Sequence, residues 1–193
     1  ICRCLVGSEM CIRDRYDVGD NFGYLSLGNS KDTSAFVCDN LAYFWQNDLQ
    51  WKYPNAQALL ILCDGGGSNN ASHYIVKQDL YWLAQKLDID ILVAHYPPYC
   101  SKWNPIEHRL FCHVHRAWEG AVFQNMELVK ELAEMTTTST GLGIKVRIND
   151  KEYQTKRQAS PKFKNHIEKF VQFDEKLPKW NYWVKTRKRK VIF

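Results

Sequence analysis

A carboxylate closes the apolar run Ala58-Leu59-Leu60-Ile61-Leu62-Cys63: it is Asp64, and Gly65, Gly66 and Gly67 follow it before Ser68 and Asn69. A carboxylate at the carboxyl end of a strand is held rigidly by the backbone yet open to solvent, which suits it to a hard cation. The glycines permit a sharp turn and leave room beside it. A second carboxylate, Glu107, ends the run Ser101-Lys102-Trp103-Asn104-Pro105-Ile106-Glu107. Asn104 is a strong N-cap, Pro105 suits the first helical position, and Glu107 falls where exposed amides and the helix dipole favour negative charge. Two readings of Glu107 stay open on these grounds. It is one half of a capping interaction, or a second acid facing the same cleft as Asp64, since its helix starts directly after a strand whose carboxyl end should lie beside that of the Asp64 strand.

The placement of both acids depends on the elements around them. The run 58–63 is too short for an ordinary helix and reads as a strand buried on both faces, such as a central strand of a mostly parallel sheet. Upstream, Phe22-Gly23-Tyr24-Leu25-Ser26-Leu27-Gly28 predicts a short strand. Asp32-Thr33-Ser34 supplies an N-cap to one amphipathic helix carrying Ala35, Phe36, Leu41, Phe44, Trp45 and Leu49, which ends before Tyr53-Pro54. Ser68-Asn69-Asn70 can cap another, in which Tyr74, Ile75, Leu80, Trp82, Leu83 and Leu87 are apolar up to Asp88. Residues 89–95 form a further strand, stopped by Pro97-Pro98. This order implies right-handed crossovers and an α/β sheet, with one early strand able to pair antiparallel. Leu110, Phe111, Val114 and Trp118 would pack the Glu107 helix on the sheet. A short helix over 127–135 is ended by the polar, β-branched run Thr136-Thr137-Thr138-Ser139-Thr140-Gly141. Ile144, Val146 and Ile148 then alternate as a strand with Lys145 and Arg147 on its other face.

The chain has 193 residues, enough for one domain with a full core or one domain plus an appendage. Its apolar runs are too short to cross a bilayer, so it reads as a soluble intracellular protein without a membrane partner. The formal charge of +5 conceals an asymmetry: residues 151–193 hold 13 Lys and Arg against 4 Asp and Glu, or +9, and the rest carries −4. A basic end on an acidic, carboxylate-bearing core suggests a polyanion partner. That end includes Trp180-Asn181-Tyr182-Trp183 and Lys185-Thr186-Arg187-Lys188-Arg189-Lys190, which reads either as a nucleic-acid contact or as a disordered basic tail. The 7 cysteines are an odd number without a framework, which fits a reduced compartment. A zinc site from Cys112, His113 and His115 is disfavoured, because neighbours on a helix point in different directions. Residues 1–15 have no clean period, and residues 4–15 look like a translated sequencing-adapter remnant. The expected organisation is therefore a non-native leader at 1–15, a folded core carrying both acids at 16–150 and a basic C-terminal segment at 151–193.

The motif Pro97-Pro98-Tyr99-Cys100-Ser101-Lys102-Trp103-Asn104-Pro105-Ile106-Glu107 resembles the Ser-x-x-Asn-Pro-Ile-Glu signature of the IS630, Tc1 and mariner relatives among DDE transposases. Together with Cys63-Asp64-Gly65-Gly66-Gly67-Ser68-Asn69, Glu107-His108-Arg109-Leu110-Phe111 and the threonine run at 136–140, it looks specifically like the ISAzo13 family, or Rhodopirellula-type transposases. The resemblance covers residues 16 to about 183. It implies an α/β, ribonuclease-H-like mixed sheet flanked by helices, with Asp64 and Glu107 as the second and third catalytic acids. It also implies Mg2+ or Mn2+ as cofactor, with two divalent ions bridging the scissile phosphate. The implied partner is double-stranded DNA, as transposon ends and target, bound by a homodimer. Lys102, Asn104, His108 and Arg109, and the basic Lys185, Arg187, Lys188, Arg189 and Lys190, are the candidate DNA contacts. Asn69 and His95 are further candidates for orienting DNA or the third acid, and His95 reads equally as a satisfied strand-end histidine.

The departure from the family is the first acid, which belongs to the first strand of the fold, two strands before the element that residues 22–28 resemble. Asp14, Asp17 and Asp20 are not in its place. The expectation is a transposase fragment lacking the first strands and inactive by itself. It would lie in the cytoplasm and nucleoid of a bacterium or the nucleus of a eukaryote. Two other readings compete: a non-catalytic DNA-binding protein derived from a transposase, and a nucleotide-binding α/β enzyme. Against the second, no Lys-Ser or Lys-Thr follows the glycines as a P-loop needs.

Overall fold

The computed structural model describes residues 11–64, 72–97, 99–123 and 125–187. In chain order its elements are β1 (Cys11–Asp17), β2 (Phe22–Gly28), α1 (Ser34–Phe44), α2 (Gln50–Lys52), β3 (Ala58–Cys63), α3 (Tyr74–Leu87), β4 (Asp90–His95), α4 (Cys112–Trp118), α5 (Met126–Glu134), β5 (Gly143–Asn149), α6 (Pro161–Asn165), β6 (Val171–Phe173) and β7 (Asn181–Val184). π-helical turns at Trp45–Leu49 and Glu107–Phe111 join α1 to α2 and lead into α4. The chain divides into two compact units. One is formed by the residues up to Asp32 with Cys100–Tyr153, the other by Thr33–Tyr99 with the residues from Gln154 on.

In the first unit, β1 pairs antiparallel with β2, and β2 pairs parallel with β5. Residues Cys11 to Arg15, which sequence patterning excluded from the fold, pair with Gly28 to Tyr24 and are part of this sheet. Leu25, Leu27, Ile144 and Val146 meet Leu110, Phe111, Val114 and Trp118 in one apolar core, so the Glu107 helix packs through the face its spacing predicts. Asn125 caps α5 by accepting from the Leu128 N–H at 2.8 Å, and the Trp118 indole N–H donates to the Val129 carbonyl.

In the second unit, β3 and β4 are parallel, while β7 runs antiparallel to both β4 and β6, giving the order β3-β4-β7-β6. Thr33 caps α1, and α3 ends at Asp88, which takes the left-handed conformation at φ 54°. The predicted caps Ser68, Asn69 and Asn70 lie outside the described residues. Leu41, Leu80, Tyr81, Ile91, Val93, Phe163, Tyr182 and Val184 are buried together, so the basic C-terminal segment contributes side chains to this core. Arg157 reinforces the join with a two-pronged contact to Asp79 on α3, both arms at 2.9 Å, and the Ser34 hydroxyl donates to the same carboxylate at 2.6 Å.

β3 departs from expectation. It was read as buried on both faces, but it has one strand neighbour among the described residues and alternates in exposure, with Leu60 54% and Leu62 45% exposed. Leu59, Ile61 and Cys63 contact the core, and the residues between them do not. A continuous apolar run conceals this difference, since a half-covered edge strand and a doubly covered central one are written with the same residue types. The mixed strand directions match the expected mixed sheet, but the described strands form two sheets where one was expected.

Candidate functional site

Asp64 is the first residue beyond β3, half-buried, at the carboxyl end of a parallel pair. The Tyr96 N–H donates to the Cys63 carbonyl at 2.9 Å, which keeps the ends of β3 and β4 side by side as the sequence implied. His95, opposite Cys63, is buried, and its Nδ1 lies 2.6 Å from the Trp180 carbonyl. With that nitrogen donating, His95 is the satisfied strand-end histidine of the two readings.

Glu107 belongs to the other unit, one turn into its helix. The Asn104 side-chain oxygen accepts from the Ile106 N–H at 3.4 Å, and the Asn104 carbonyl accepts from the Glu107 N–H at 3.1 Å, so Asn104 is occupied as the cap. Pro105 opens the helix, and a π-helical turn carries Glu107 itself. Such turns are rare and frequently mark functional positions. Gly23 on β2 fixes the depth of this helix: a Cβ there would come within 2.5 Å of a Leu110 methyl, and Leu110 is wholly buried. Only a glycine lets the sheet and the Glu107 helix approach this closely.

A further acid of the same unit, which the sequence reading sets aside as not in the first acid's place, is buried near Glu107. Asp14, on β1, has a buried Oδ1 without a hydrogen-bond partner. Its pKa is pushed up to about 6, first by burial, with the negative charge of Glu107 adding to the rise while Arg13 and Arg15 oppose it. Asp14 therefore lies within electrostatic reach of Glu107. Its burial could not be read from the sequence, because a charged residue in a stretch without a period gives no hint of pairing to β2.

Lys102, His108 and Arg109 are exposed beside Glu107. The His108 ring bonds through Nε2 to the Lys102 carbonyl, tying the turn Ser101–Trp103 to the helix. In the second unit Lys185 and Arg187 are both exposed, and the Arg187 guanidinium lies 5.5 Å from the Tyr81 ring centre and 6.0 Å from that of Phe170. The Arg187 N–H donates to Gln85 Oε1, so this end of the basic run is folded onto α3. Lys188, Arg189, Lys190 and Asn69 lie outside the described residues.

The oxygen donors of Asp64 and Glu107 suit a hard divalent ion. Among the described residues no cluster of three or more His, Cys, Asp or Glu side chains is placed to hold a metal. No helix among them is long and apolar enough to cross a membrane.

No curated protein and no solved structure matches the chain. A family model described as the Rhodopirellula transposase DDE domain matches residues 14–186, a span that takes in both Asp64 and Glu107. With nearly the whole chain covered, this protein belongs to the Rhodopirellula-type DDE transposase family.

Proposed function

We propose that this chain is part of the catalytic domain of a transposase whose complete form cuts and joins transposon-end DNA, and that Asp64 and Glu107 are two of its three metal-binding acids. Members of the family act on DNA and use divalent metal ions. The observation that carries the reading is the support behind each carboxylate: Asp64 stands at the end of a parallel strand pair, and Glu107 on a capped helix locked to its sheet through Gly23 and Leu110. Bound Mg2+ or Mn2+ would supply activation of the attacking oxygen and stabilisation of the leaving one. The chain's own part is to hold two carboxylates on rigid elements, so that little reorganisation is needed at the reacting phosphate.

The same reading makes the ribonuclease-H-like first strand, with its acid, a segment outside this sequence. That β3 has one strand neighbour, β4, among the described residues supports it, since a strand central to a complete sheet would have a second. With two acids of three, the chain is expected to be inactive in strand cleavage.

Calorimetric titration of Mn2+ into this chain and its Asp64→Ala and Glu107→Ala variants, with transposon-end DNA present, tests the assignment. Binding that disappears in both variants supports one shared metal site. Binding indifferent to either substitution would show that the acids are wrongly chosen, and metal-dependent nicking of DNA by the unaltered chain would overturn the claim of inactivity.

A further inference from the structure

Trp103 is 69% exposed, although tryptophan is a residue that folding ordinarily covers. It does not ride on a loose loop. Its N–H donates to the Cys100 carbonyl at 3.0 Å, the next residue is the Asn104 cap, and the His108 ring holds the carbonyl of Lys102 just before it. The indole is thus presented on a turn braced from both sides. Lys102 Nζ lies 5.2 Å from the centre of the ring, and His108 and Arg109 are exposed one helical turn further on. A large flat apolar side chain on a braced turn, with one ammonium over its ring and an exposed guanidinium on the helix that follows, fits a partner that combines a π-face with negative charge.

We propose that Trp103 is a stacking platform for an unpaired DNA base next to the Glu107 end of the site, with Lys102 and Arg109 neutralising the flanking phosphates. The proposal rests on the reading of DNA as substrate and adds which part of the DNA is gripped there. A paired base inside a duplex offers no free face to an indole, whereas an unpaired one does. Base-on-aromatic stacking adds to affinity whatever the base, and the flanking cations add a salt-dependent share. A protein partner would instead call for a wider apolar patch, and the neighbours of Trp103 in sequence from Ser101 to Arg109 include three basic or titratable side chains and one acid.

The test uses the whole chain and two oligonucleotides of one sequence, a blunt duplex and a duplex with a three-nucleotide single-stranded end, each carrying 2-aminopurine at the terminal position. Stacking on an indole quenches 2-aminopurine, so fluorescence and affinity are read together. The expected result is tighter binding and stronger quenching for the tailed duplex. Trp103→Ala should lower affinity for the tailed duplex at least five-fold and leave the blunt duplex nearly unchanged, with Trp103→Phe restoring much of the loss. Trp82→Ala, which removes an exposed tryptophan on α3 of the other unit, should have no effect. Lys102→Ala should reduce the salt slope of binding by about one. Equal loss on both duplexes, or none on either, would overturn the stacking role while leaving DNA binding in place. Failure of the unaltered chain to bind either duplex would instead remove the DNA reading on which the proposal stands.

Discussion

Asp14 shows how a single carboxyl group sets a pH dependence. Its folded-state pKa is about 6 against an ordinary value of 3.8, because burial disfavours the charged form and Glu107 repels it. A raised acid pKa means that the unfolded chain loses its proton first as pH rises. Below the ordinary value both states are protonated and the group is neutral to stability. Between about 4 and 6 the unfolded state gains from ionising and the folded state does not, so stability falls, then levels off above pH 6. The shift corresponds to about 2–3 kcal/mol. Urea unfolding followed from pH 3.5 to 7 should show this decline, and Asp14→Asn should flatten it. Because an unpartnered amide in the same place also carries a cost, the informative quantity is the slope with pH, not the stability at any one pH. A slope unchanged by the substitution would mean that Asp14 is solvated.

At the scale of elements, β3 raises the question of association. Among the described residues β3 is paired on one edge alone, an arrangement that with apolar residues on an uncovered face invites pairing with another chain, and neither proline nor charge interrupts residues 58–63. Leu60→Lys with Leu62→Lys should therefore suppress self-association, seen as lower light scattering at equal concentration. Thermal stability should change by less than about 1 kcal/mol, as expected for substitutions on an exposed face. A large loss of stability would show that the two leucines are covered after all. This element also marks how far the sequence could be read. The strands at 22–28, 58–63 and 90–95, the cap at Asn104 and the buried face Leu110-Phe111-Val114-Trp118 follow from local pattern, because period and cap chemistry are local properties. The two acids were legible for the same reason, one ending an apolar run and the other following a cap. Which strands lie next to one another is not local, so the edge position of β3 and the pairing of Cys11 to Arg15 with β2 were hidden. Exposure is not written in a sequence either, and Trp103 passed unnoticed inside a motif read for its asparagine and glutamate.

For the whole molecule, the C-terminal segment decides between a tail and a structural part. Its charge alone favours a solvated, DNA-seeking extension, yet β7 lies between β4 and β6, and Phe163, Val171, Tyr182 and Val184 are buried in the core of the second unit. The segment is anchored at its start by the Arg157–Asp79 pair, and at its end by Thr186, whose N–H donates to Asp90 and whose hydroxyl donates to Asp88. Deleting residues 154–193 would strip β4 of its second neighbour and expose Ile91 and Val93, both buried now. It would also leave the Asp79 carboxylate, nearly buried, without its guanidinium, and removing one partner of such a pair costs several kcal/mol. Losses of this size exceed what a small unit can bear. Hydrogen exchange read by mass spectrometry should then show β3, β4 and α3 unprotected in the shortened chain. β1, β2 and β5 should keep their protection, since their core draws on Ile12, Leu25, Leu27, Ile144 and Val146 and on nothing beyond Tyr153. Unaltered protection in β4 would return the segment to the status of a tail and leave its basic side chains to the proposed DNA binding alone.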